Sequence, residues 1–312
     1  MGSSQLKILL AVFALGMLGA AGVFVAYMWE IKWKPEQQVV EELTKDKENV
    51  KRKKPDLGLK QYKFALDALK KHDIPGARVH LGFILDHYKD SAKYSDAKRI
   101  LGELNVDELL SAEPGRGKVE YLVKSGDALT LIARRNQCTI DYIIRANAKS
   151  NDIIRIGEKL WVAPLMFVIE ANITDKILTV YRLVEEPTDP AAPQVEEPDG
   201  ETPAEPKLIE EFFTEYPILD VNIPGQVKIP LTTVISSRPA LIESGIARFN
   251  QANYHLSHRF MHTKRVGILI QEMVDDLENA TEDKRMGMLL SREDNREIYT
   301  YIRAGSVLRV VK

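Results

Sequence analysis

The sequence contains little cysteine, and its charges nearly cancel. Cys138 is the single cysteine among 312 residues, so the chain can neither close an intramolecular disulfide nor supply several thiolates to a metal. With 43 basic and 45 acidic side chains, the formal net charge is -2, which gives no strong electrostatic case for binding nucleic acid. We therefore expect no nucleic-acid partner, no cofactor and no metal site, and we expect Cys138 to pack as a small hydrophobic side chain.

Long apolar runs are also scarce, and the one present lies near the N-terminus. Residues 8–29 carry no charge, and as a helix they would span about 33 Å, enough for one bilayer crossing. A cleavable signal peptide is the alternative, because Gly19-Ala20-Ala21 has the small residues of a cleavage site. The apolar run continues to Trp29, past that site. We therefore predict an uncleaved transmembrane helix after a short cytoplasmic tail, residues 1–7.

The next two segments are predicted to be a linker and a small helical bundle. Residues 30–57 are highly charged and include the run Lys51-Arg52-Lys53-Lys54, which is typical of a solvated tether. From residue 58 to 113 the apolar residues recur at helical spacing and predict three helices. The stretch Ile84–Gly102 resembles the helix pairs of tetratricopeptide-like proteins of bacterial envelopes. This bundle is a candidate surface for a protein partner.

Residues 118–164 change from strand to helix periodicity and back. The change from period 2 to period 3.6 falls at Gly126, and we expect the carboxylate of Asp127 to cap the helix that follows. A second helix is predicted from Thr139 to Asn147, before a closing strand, which gives the order β-α-α-β. The apolar residues expected to face the small core are Leu129, Ile132, Ala133, Ile140, Ile143 and Ile144.

At these residues the sequence resembles the lysin motif (LysM), a module that binds glycans containing N-acetylglucosamine, such as peptidoglycan. The matching patterns are Gly-Asp-x-Leu-x-x-Ile-Ala, Arg-Ala-Asn and Arg-x-Gly-x-x-Leu, in that order. The resemblance implies a shallow sugar groove between the loop after the first strand and the loop before the last. Ala128 replaces the serine or threonine usual in the family, which removes one hydroxyl. The groove residues that it implies are Gly126, Asp127, Ala128, Leu129, Asn151, Asp152, Ile153 and Ile154.

The sequence after residue 164 has mainly strand character. A tract of prolines and acids at 185–207 cannot bury enough apolar surface to fold and is predicted to be a disordered loop. Ser291-Arg-Glu-Asp294 is a capping-box pattern that predicts the start of a helix. The predicted strands are Phe167–Asn172, Ile177–Tyr181, Ile209–Ile218, Val227–Ser236, Val266–Ile270 and Val307–Val311.

Residues 166–312 resemble the L,D-transpeptidase catalytic domain, clearest in the opening hairpin and in Leu290–Tyr299. That family has a His-Gly-Thr strand end and, about seventeen residues later, Ser-x-Gly-Cys, whose cysteine accepts the acyl group while the histidine activates it. Here Gln271 stands at the histidine position, Gly287 is retained, and Met288 stands at the cysteine position. A thioether has no thiolate form, and an amide cannot take up a proton at neutral pH. The domain is therefore predicted to be degenerate, with no catalytic residues.

Other residues leave two alternatives open. Ser291 is explained by helix capping but is also a candidate nucleophile. His255, His258 and His262 would share one side of a helix and could then bind zinc, although the matching segment of the family is an irregular loop and loop histidines are commonly free of metal.

Together these features predict an α+β multidomain protein of the bacterial cell envelope that binds peptidoglycan without catalysis. The lysines after residues 8–29 favour an external N-terminus, but a glycan site would be useless in the cytoplasm, so we expect an inner-membrane protein with its soluble part in the periplasm. Stem peptides are a further candidate ligand for the empty cleft. The alternatives are an active L,D-transpeptidase with an unrecognised nucleophile and a scaffold that binds proteins through residues 58–113.

Overall fold

The structure is a computed structural model. The predicted tail, transmembrane helix and linker up to residue 55 lie outside the described residues, as does most of the acidic loop, and these remain predictions. Within the described part, no helix combines the length and the apolar character needed to cross a membrane. Residues 56–312 form one compact unit. The residues that the structure describes are 56–186, 207–242, 245–251, 253–274 and 286–312.

The three predicted N-terminal helices are confirmed. They are α1 (Leu57–Lys70), α2 (Ile74–His87) and α3 (Tyr94–Leu110). Asp56 and Asp73 cap the first two, because their carboxylates accept the amides of the first turn. The small core between the helices is formed by Ala65, Leu81, Ile84, Leu85, Ala97 and Leu101.

Helix α3 also packs against the C-terminal part of the chain. The buried amide of Asn105 donates from Nδ2 to the carbonyl of Phe213 at 2.8 Å. Gly102 lies so close to Thr214 that an added Cβ would meet its Oγ1 at 2.7 Å, and Lys98 Nζ pairs with Glu215 at 2.5 Å. The helical bundle is therefore packed on the β-sheet rather than standing apart from it.

The β-α-α-β prediction for residues 118–164 is also confirmed. Strand β1 (Val119–Leu122) pairs antiparallel with β2 (Lys159–Val162), and between them lie α4 (Leu129–Arg135) and α5 (Ile140–Ala146). The predicted inward face of α5 was partly wrong. Tyr142, Ile143 and Ala146 are its buried residues, whereas Ile140 and Ile144 are only partly buried at the edge of the core.

A large sheet forms the rest of the unit. Its strands are β3 (Phe167–Asn172), β4 (Ile177–Glu185), β5 (Leu208–Pro217), β6 (Asp220–Asn222), β7 (Leu231–Ser237), β8 (Ala240–Ile242), β9 (Gly245–Ile246), β10 (His258–Thr263), β11 (Leu269–Glu272), β12 (Gly287–Leu290) and β13 (Val307–Val311). They lie in the order β5-β4-β3-β13-β7-β10-β11-β12-β6, and β8 pairs with β10 and with β9 beside this path. The predicted opening hairpin and last strand are confirmed.

Three boundaries differ from the sequence prediction. Strand β4 extends to Glu185, and Glu186 N donates to Lys207 O at 2.8 Å, so both ends of the acidic tract belong to the β4–β5 pair. Strand β7 begins only after Pro230, because proline lacks the amide that a ladder requires. Strand β11 begins at Leu269, since Gly267 turns with φ of +83° and leaves Val266 90% exposed.

Helix α6 (Arg292–Tyr301) joins the sheet to the β-α-α-β module. Ser291 Oγ accepts the amide of Asp294 at 3.0 Å, which confirms the predicted cap. The hydroxyl of Thr139, at the start of α5, donates to the carbonyl of Thr300 near the end of α6. One hydrophobic core runs through the module and the sheet, so the module is fixed on the sheet.

Candidate functional site

The two loops of the expected glycan groove leave the same end of the β1–β2 pair. Leu122 lies opposite Lys159 in the antiparallel register. Beyond that pair, Val123 N donates to Glu158 O and Gly157 N donates to Val123 O, both at 2.9 Å. The loop that follows Val123 and the loop that precedes Gly157 therefore lie side by side, as the predicted groove requires.

Asp127 closes the turn before α4 instead of capping the helix, so the capping prediction was wrong. Its carboxylate accepts the amide of Lys124 at 2.8 Å, the hydroxyl of Tyr121 at 2.9 Å and Nη1 of Arg135 at 2.8 Å. These donors, the Lys124 amide foremost, hold the pKa of Asp127 below its usual value. The N-cap is Ala128, whose side chain makes no cap hydrogen bond.

Gly126 makes this turn possible, because its φ of +81° lies in the left-handed region that side chains disfavour. Leu129 is buried in the core. Within this loop, Gly126 and Ala128 are therefore the exposed predicted groove residues. Turn and core roles account for the other two, Asp127 and Leu129.

The opposite loop presents apolar side chains to solvent. Asn151 Oδ1 accepts the amide of Ile153 at 3.0 Å and so shapes the turn. Ile153 is 64% exposed and Ile156 is 73% exposed, whereas Ile154 packs against the core. Asp152 is partly buried. The exposed Ile156 was not among the predicted groove residues, although its position between Arg155 and Gly157 in the closing pattern could have pointed to it.

The structure places Gln271 and Met288, the residues at the expected histidine and cysteine positions, on neighbouring strands. Gln271 lies on β11, and Gly287 and Met288 lie on the neighbouring parallel strand β12, where Met288 is opposite Ile270. The side chains of Gln271 and Met288 are both 0% exposed. Met288 belongs to the hydrophobic core, so its sulfur is a packing group.

Gly287 is required by the backbone, whatever the chemistry of its neighbours. Its φ is +89°, and a Cβ at this position would lie 2.4 Å from the carbonyl oxygen of Leu269 on the adjacent strand. Both features exclude a side chain without a shift of the backbone. A retained glycine here is therefore explained by the fold alone.

Gln271 belongs to a series of buried, hydrogen-bonded polar side chains that was not predicted from the sequence. Gln271 Nε2 donates to Met286 O at 2.6 Å, and its Oε1 lies 3.0 Å from Nε2 of His258. The other ring nitrogen of His258 lies 2.9 Å from Oε1 of Glu272, which is 1% exposed and has Arg296 Nε at 3.6 Å from Oε2. A glutamate directly after a buried apolar strand was the available signal, because such a charge needs partners.

The three histidines do not form the helical face on which a zinc site would depend. His255 lies in a short 3₁₀ helix, Tyr254–Leu256, while His258 and His262 lie on β10 on either side of Phe260. Burial lowers the pKa of His262. Among the described residues, no group of three or more metal-ligating side chains is found.

Cys138 is buried in the core, which confirms its expected packing role. Burial raises the pKa of the Cys138 thiol to about 12. At neutral pH the sulfur is therefore protonated and is a poor nucleophile.

The comparison with protein families decides the nature of the β-α-α-β module. Residues 121–163 match the LysM domain. LysM domains bind the glycan strands of peptidoglycan, so this match confirms the resemblance stated for the module from its sequence. A search of the curated proteins found no match.

Solved structures similar to this chain include the following three. One is a fused Zn-dependent amidase/peptidase/peptidoglycan-binding domain-containing protein from Clostridium acetobutylicum, with 10% identity, 46% of this chain and 51% of that chain covered, and a TM-score of 0.28. Another is the L,D-transpeptidase 1 of Mycobacterium tuberculosis, with 12% identity, 47% of this chain and 62% of that chain covered, and a TM-score of 0.27. The third is the C442S mutant of the Enterococcus faecium L,D-transpeptidase, with 11% identity, 52% of this chain and 56% of that chain covered, and a TM-score of 0.26.

The alignments cover less than two thirds of each of these three chains. Two of the three are L,D-transpeptidases, the family that residues 166–312 are expected to resemble. At such TM-scores the similarity carries no argument about chemistry, which has to be argued from the residues of this chain.

Proposed function

We propose that the chain is a membrane-anchored protein of the bacterial cell envelope that binds peptidoglycan through its LysM and catalyses no transpeptidation. Residues 8–29 hold it in the inner membrane, and the folded part lies in the periplasm, where the glycan is. The exposed residues of the two LysM loops, among them Ala128 and Ile153, form the glycan groove.

The observation that supports the non-catalytic assignment best is the complete burial of Met288. A transpeptidase nucleophile has to reach the carbonyl of a bound peptide, and it has to exist as a thiolate or be activated by a base. Met288 meets neither requirement, because its sulfur is alkylated and lies in the core. Gln271, at the base position, uses its amide for the hydrogen bonds to Met286 and His258.

The rival assignment is an active transpeptidase with another nucleophile. His258 is the candidate base, but both of its ring nitrogens are already engaged, one with Gln271 Oε1 and the other with Glu272 Oε1. The candidate hydroxyls are engaged as well. Ser257 is fully buried and donates to Tyr254 O at 2.7 Å, and Ser291 caps α6. Incubation of the purified chain with tetrapeptide-containing muropeptides tests this point. We expect no new cross-link by mass spectrometry, and a cross-linked product would establish the rival.

A second candidate function is a protein scaffold built on the helical bundle. It is favoured by large apolar side chains that helices α1 and α2 leave exposed. Binding to washed peptidoglycan sacculi separates it from the main proposal, since a scaffold with a vestigial LysM would stay in the supernatant. The exposed apolar residues of this surface are Leu57, Leu59, Phe64, Ile74, Val79 and Phe83.

A further inference from the structure

A pocket of about 620 Å³ lies between the LysM and the C-terminal sheet. On the LysM side it is lined by α4, from Thr130 to Arg134, and by the start of α5. On the sheet side it is lined by residues around Arg238 and Arg248 and by the end of α6. Its volume is in the range of small-ligand sites, about 300–1,000 Å³. It is separate from the glycan groove and from the buried Gln271 and Met288, none of which line it.

The charge of the lining is positive. The described lining residues include four arginines, Arg134, Arg238, Arg248 and Arg303, and one carboxylate, Asp141. Asp141 is already used within the wall, because its Oδ1 accepts the hydroxyl of Tyr254 at 2.8 Å and its Oδ2 lies 3.8 Å from Arg238. Three positive charges therefore remain uncompensated by the residues that line the pocket.

The four guanidinium groups differ in how far they are engaged. Arg238 donates to the carbonyl of Tyr299 and stacks 4.0 Å above its ring, but its buried Nε has no hydrogen-bond partner in the described part of the chain. Arg303 donates to Gln137 Oε1 at 3.2 Å. Arg134 and Arg248 are exposed, and within the described residues their side chains form no ion pair. These two are free to bind a ligand.

We propose that this pocket binds a short peptide through its carboxylates. A guanidinium group presents paired N–H donors that match a carboxylate, and two or more around one cavity select a ligand with several such groups. Apolar side chains on the remaining wall, Ile140, Ala247 and Phe249, suit the aliphatic parts of a peptide.

The position of the pocket indicates which peptide reaches it. Helix α4 has seven residues and so spans about 10 Å; the glycan loop precedes its N-terminal end, and the pocket lies along it from Thr130 to Arg134. An extended tetrapeptide reaches about 13 Å. A stem peptide attached to a glycan strand in the LysM groove can therefore enter the pocket. This identification of the peptide rests on the proposed function.

The test uses the full-length chain in detergent and a synthetic stem tetrapeptide without sugar, with binding measured by calorimetry. The double variant Arg134→Gln, Arg248→Gln should bind at least about tenfold more weakly, because each charged hydrogen bond contributes about that factor. The control Arg99→Gln removes an exposed arginine of α3 that pairs with Glu103, outside the pocket, and should bind like the unaltered chain. A peptide with every carboxylate amidated should also bind at least tenfold more weakly.

Several outcomes would overturn the pocket assignment. They are undetectable binding of the tetrapeptide, equal binding of the amidated peptide, and unchanged binding by the double variant. Because the probe carries no sugar, these outcomes do not depend on the glycan groove. Failure of the unaltered chain to pellet with sacculi while saturating free tetrapeptide occupies the pocket, with tetrapeptide binding intact, would reject the proposed function and leave the pocket assignment standing.

Discussion

Asn147 and Trp161 are joined through two hydrogen bonds between a side chain and a backbone. The Oδ1 atom of Asn147 accepts the amide of Trp161 at 2.6 Å, and its Nδ2 donates to the carbonyl of Trp161 at 3.0 Å. The side-chain amide of Asn147 thus pairs with the backbone N–H and C=O of Trp161 on the edge of β2 that β1 does not cover. This connects the end of α5 to the closing strand, and it explains why the module has asparagine at this helix end.

Replacement of Asn147 with alanine should destabilise the LysM by about 1–3 kcal/mol, because the two backbone groups of Trp161 lose their partner. Urea denaturation and amide hydrogen exchange at Trp161 measure the effect. Asn136→Ala is the matched control, since within the described residues the Asn136 side chain makes one hydrogen bond, to Ile132 O of α4. Equal effects of the two variants would contradict the role of Asn147.

The turn held by Asp127 predicts a pH-dependent stability. The pKa of Asp127 is lowered in the folded chain, so its ionised form stabilises the fold above the ordinary aspartate value of about 3.9. This contribution is lost as the pH falls through the lower folded value. We expect Asp127→Asn to be less stable than the unaltered chain at pH 7 and to approach it at pH 2.5.

Thermal unfolding of the two proteins across this pH range provides the measurement. Asp175→Asn is a suitable control, because Asp175 is an exposed acid in the β3–β4 turn whose carboxylate accepts the side-chain amide of Asn172. A stability difference for Asp127→Asn that stays constant down to pH 2.5 would rule out the ionised carboxylate as its cause.

Ala128 occupies an N-cap position that its side chain cannot satisfy. Its backbone is extended, with φ of -134° and ψ of 152°, so serine fits without strain. Ala128→Ser should stabilise the module by about 1 kcal/mol, because the hydroxyl can accept an amide of the first turn of α4. The same hydroxyl should strengthen glycan binding if the groove is correctly placed. Ala112→Ser, at an exposed position outside any element, should change stability by less than about 0.5 kcal/mol.

The double variant Met288→Cys, Gln271→His should remain inactive. A cysteine at position 288 would be buried where Met288 is now, and burial raises the pKa of a thiol and shields it from a peptide. Assays with tetrapeptide muropeptides, alongside an active L,D-transpeptidase and with folding checked by circular dichroism, measure this. Formation of a cross-linked product would mean that the surroundings of positions 271 and 288 still have the geometry that transpeptidation requires.

The helices and strands could be predicted from the sequence better than the contacts between them. The order of helices and strands followed from periodicity and capping residues, as Ser291 illustrates, because those signals are local. The inward face of α5 was misjudged because the helix packs against α6 as well as against β2, and α6 lies far along the chain. The function of Asp127 was misassigned because a turn and a cap use the same residue type one position apart.

The polar chain of His258, Gln271 and Glu272 shows the same limit. His258 lies more than ten positions before its two partners, and only the pairing of β10 with β11 brings them together. The pocket between the LysM and the sheet depends on the docking of two modules, which no spacing in the sequence reveals. By contrast, the absence of a nucleophile at position 288 was readable directly, since it depends on residue type alone.

Sedimentation of the full-length chain with washed peptidoglycan sacculi tests glycan binding by the LysM most directly. At low salt, with sacculi in excess and free stem tetrapeptide added to occupy the pocket, the unaltered chain should pellet, and so should Val79→Asp, which places the same charge on an exposed apolar position of α2. Ile153→Asp, on the LysM loop, should leave most of the protein in the supernatant. An unaltered chain that stays in solution, or an Ile153→Asp variant that pellets equally well, would contradict the account.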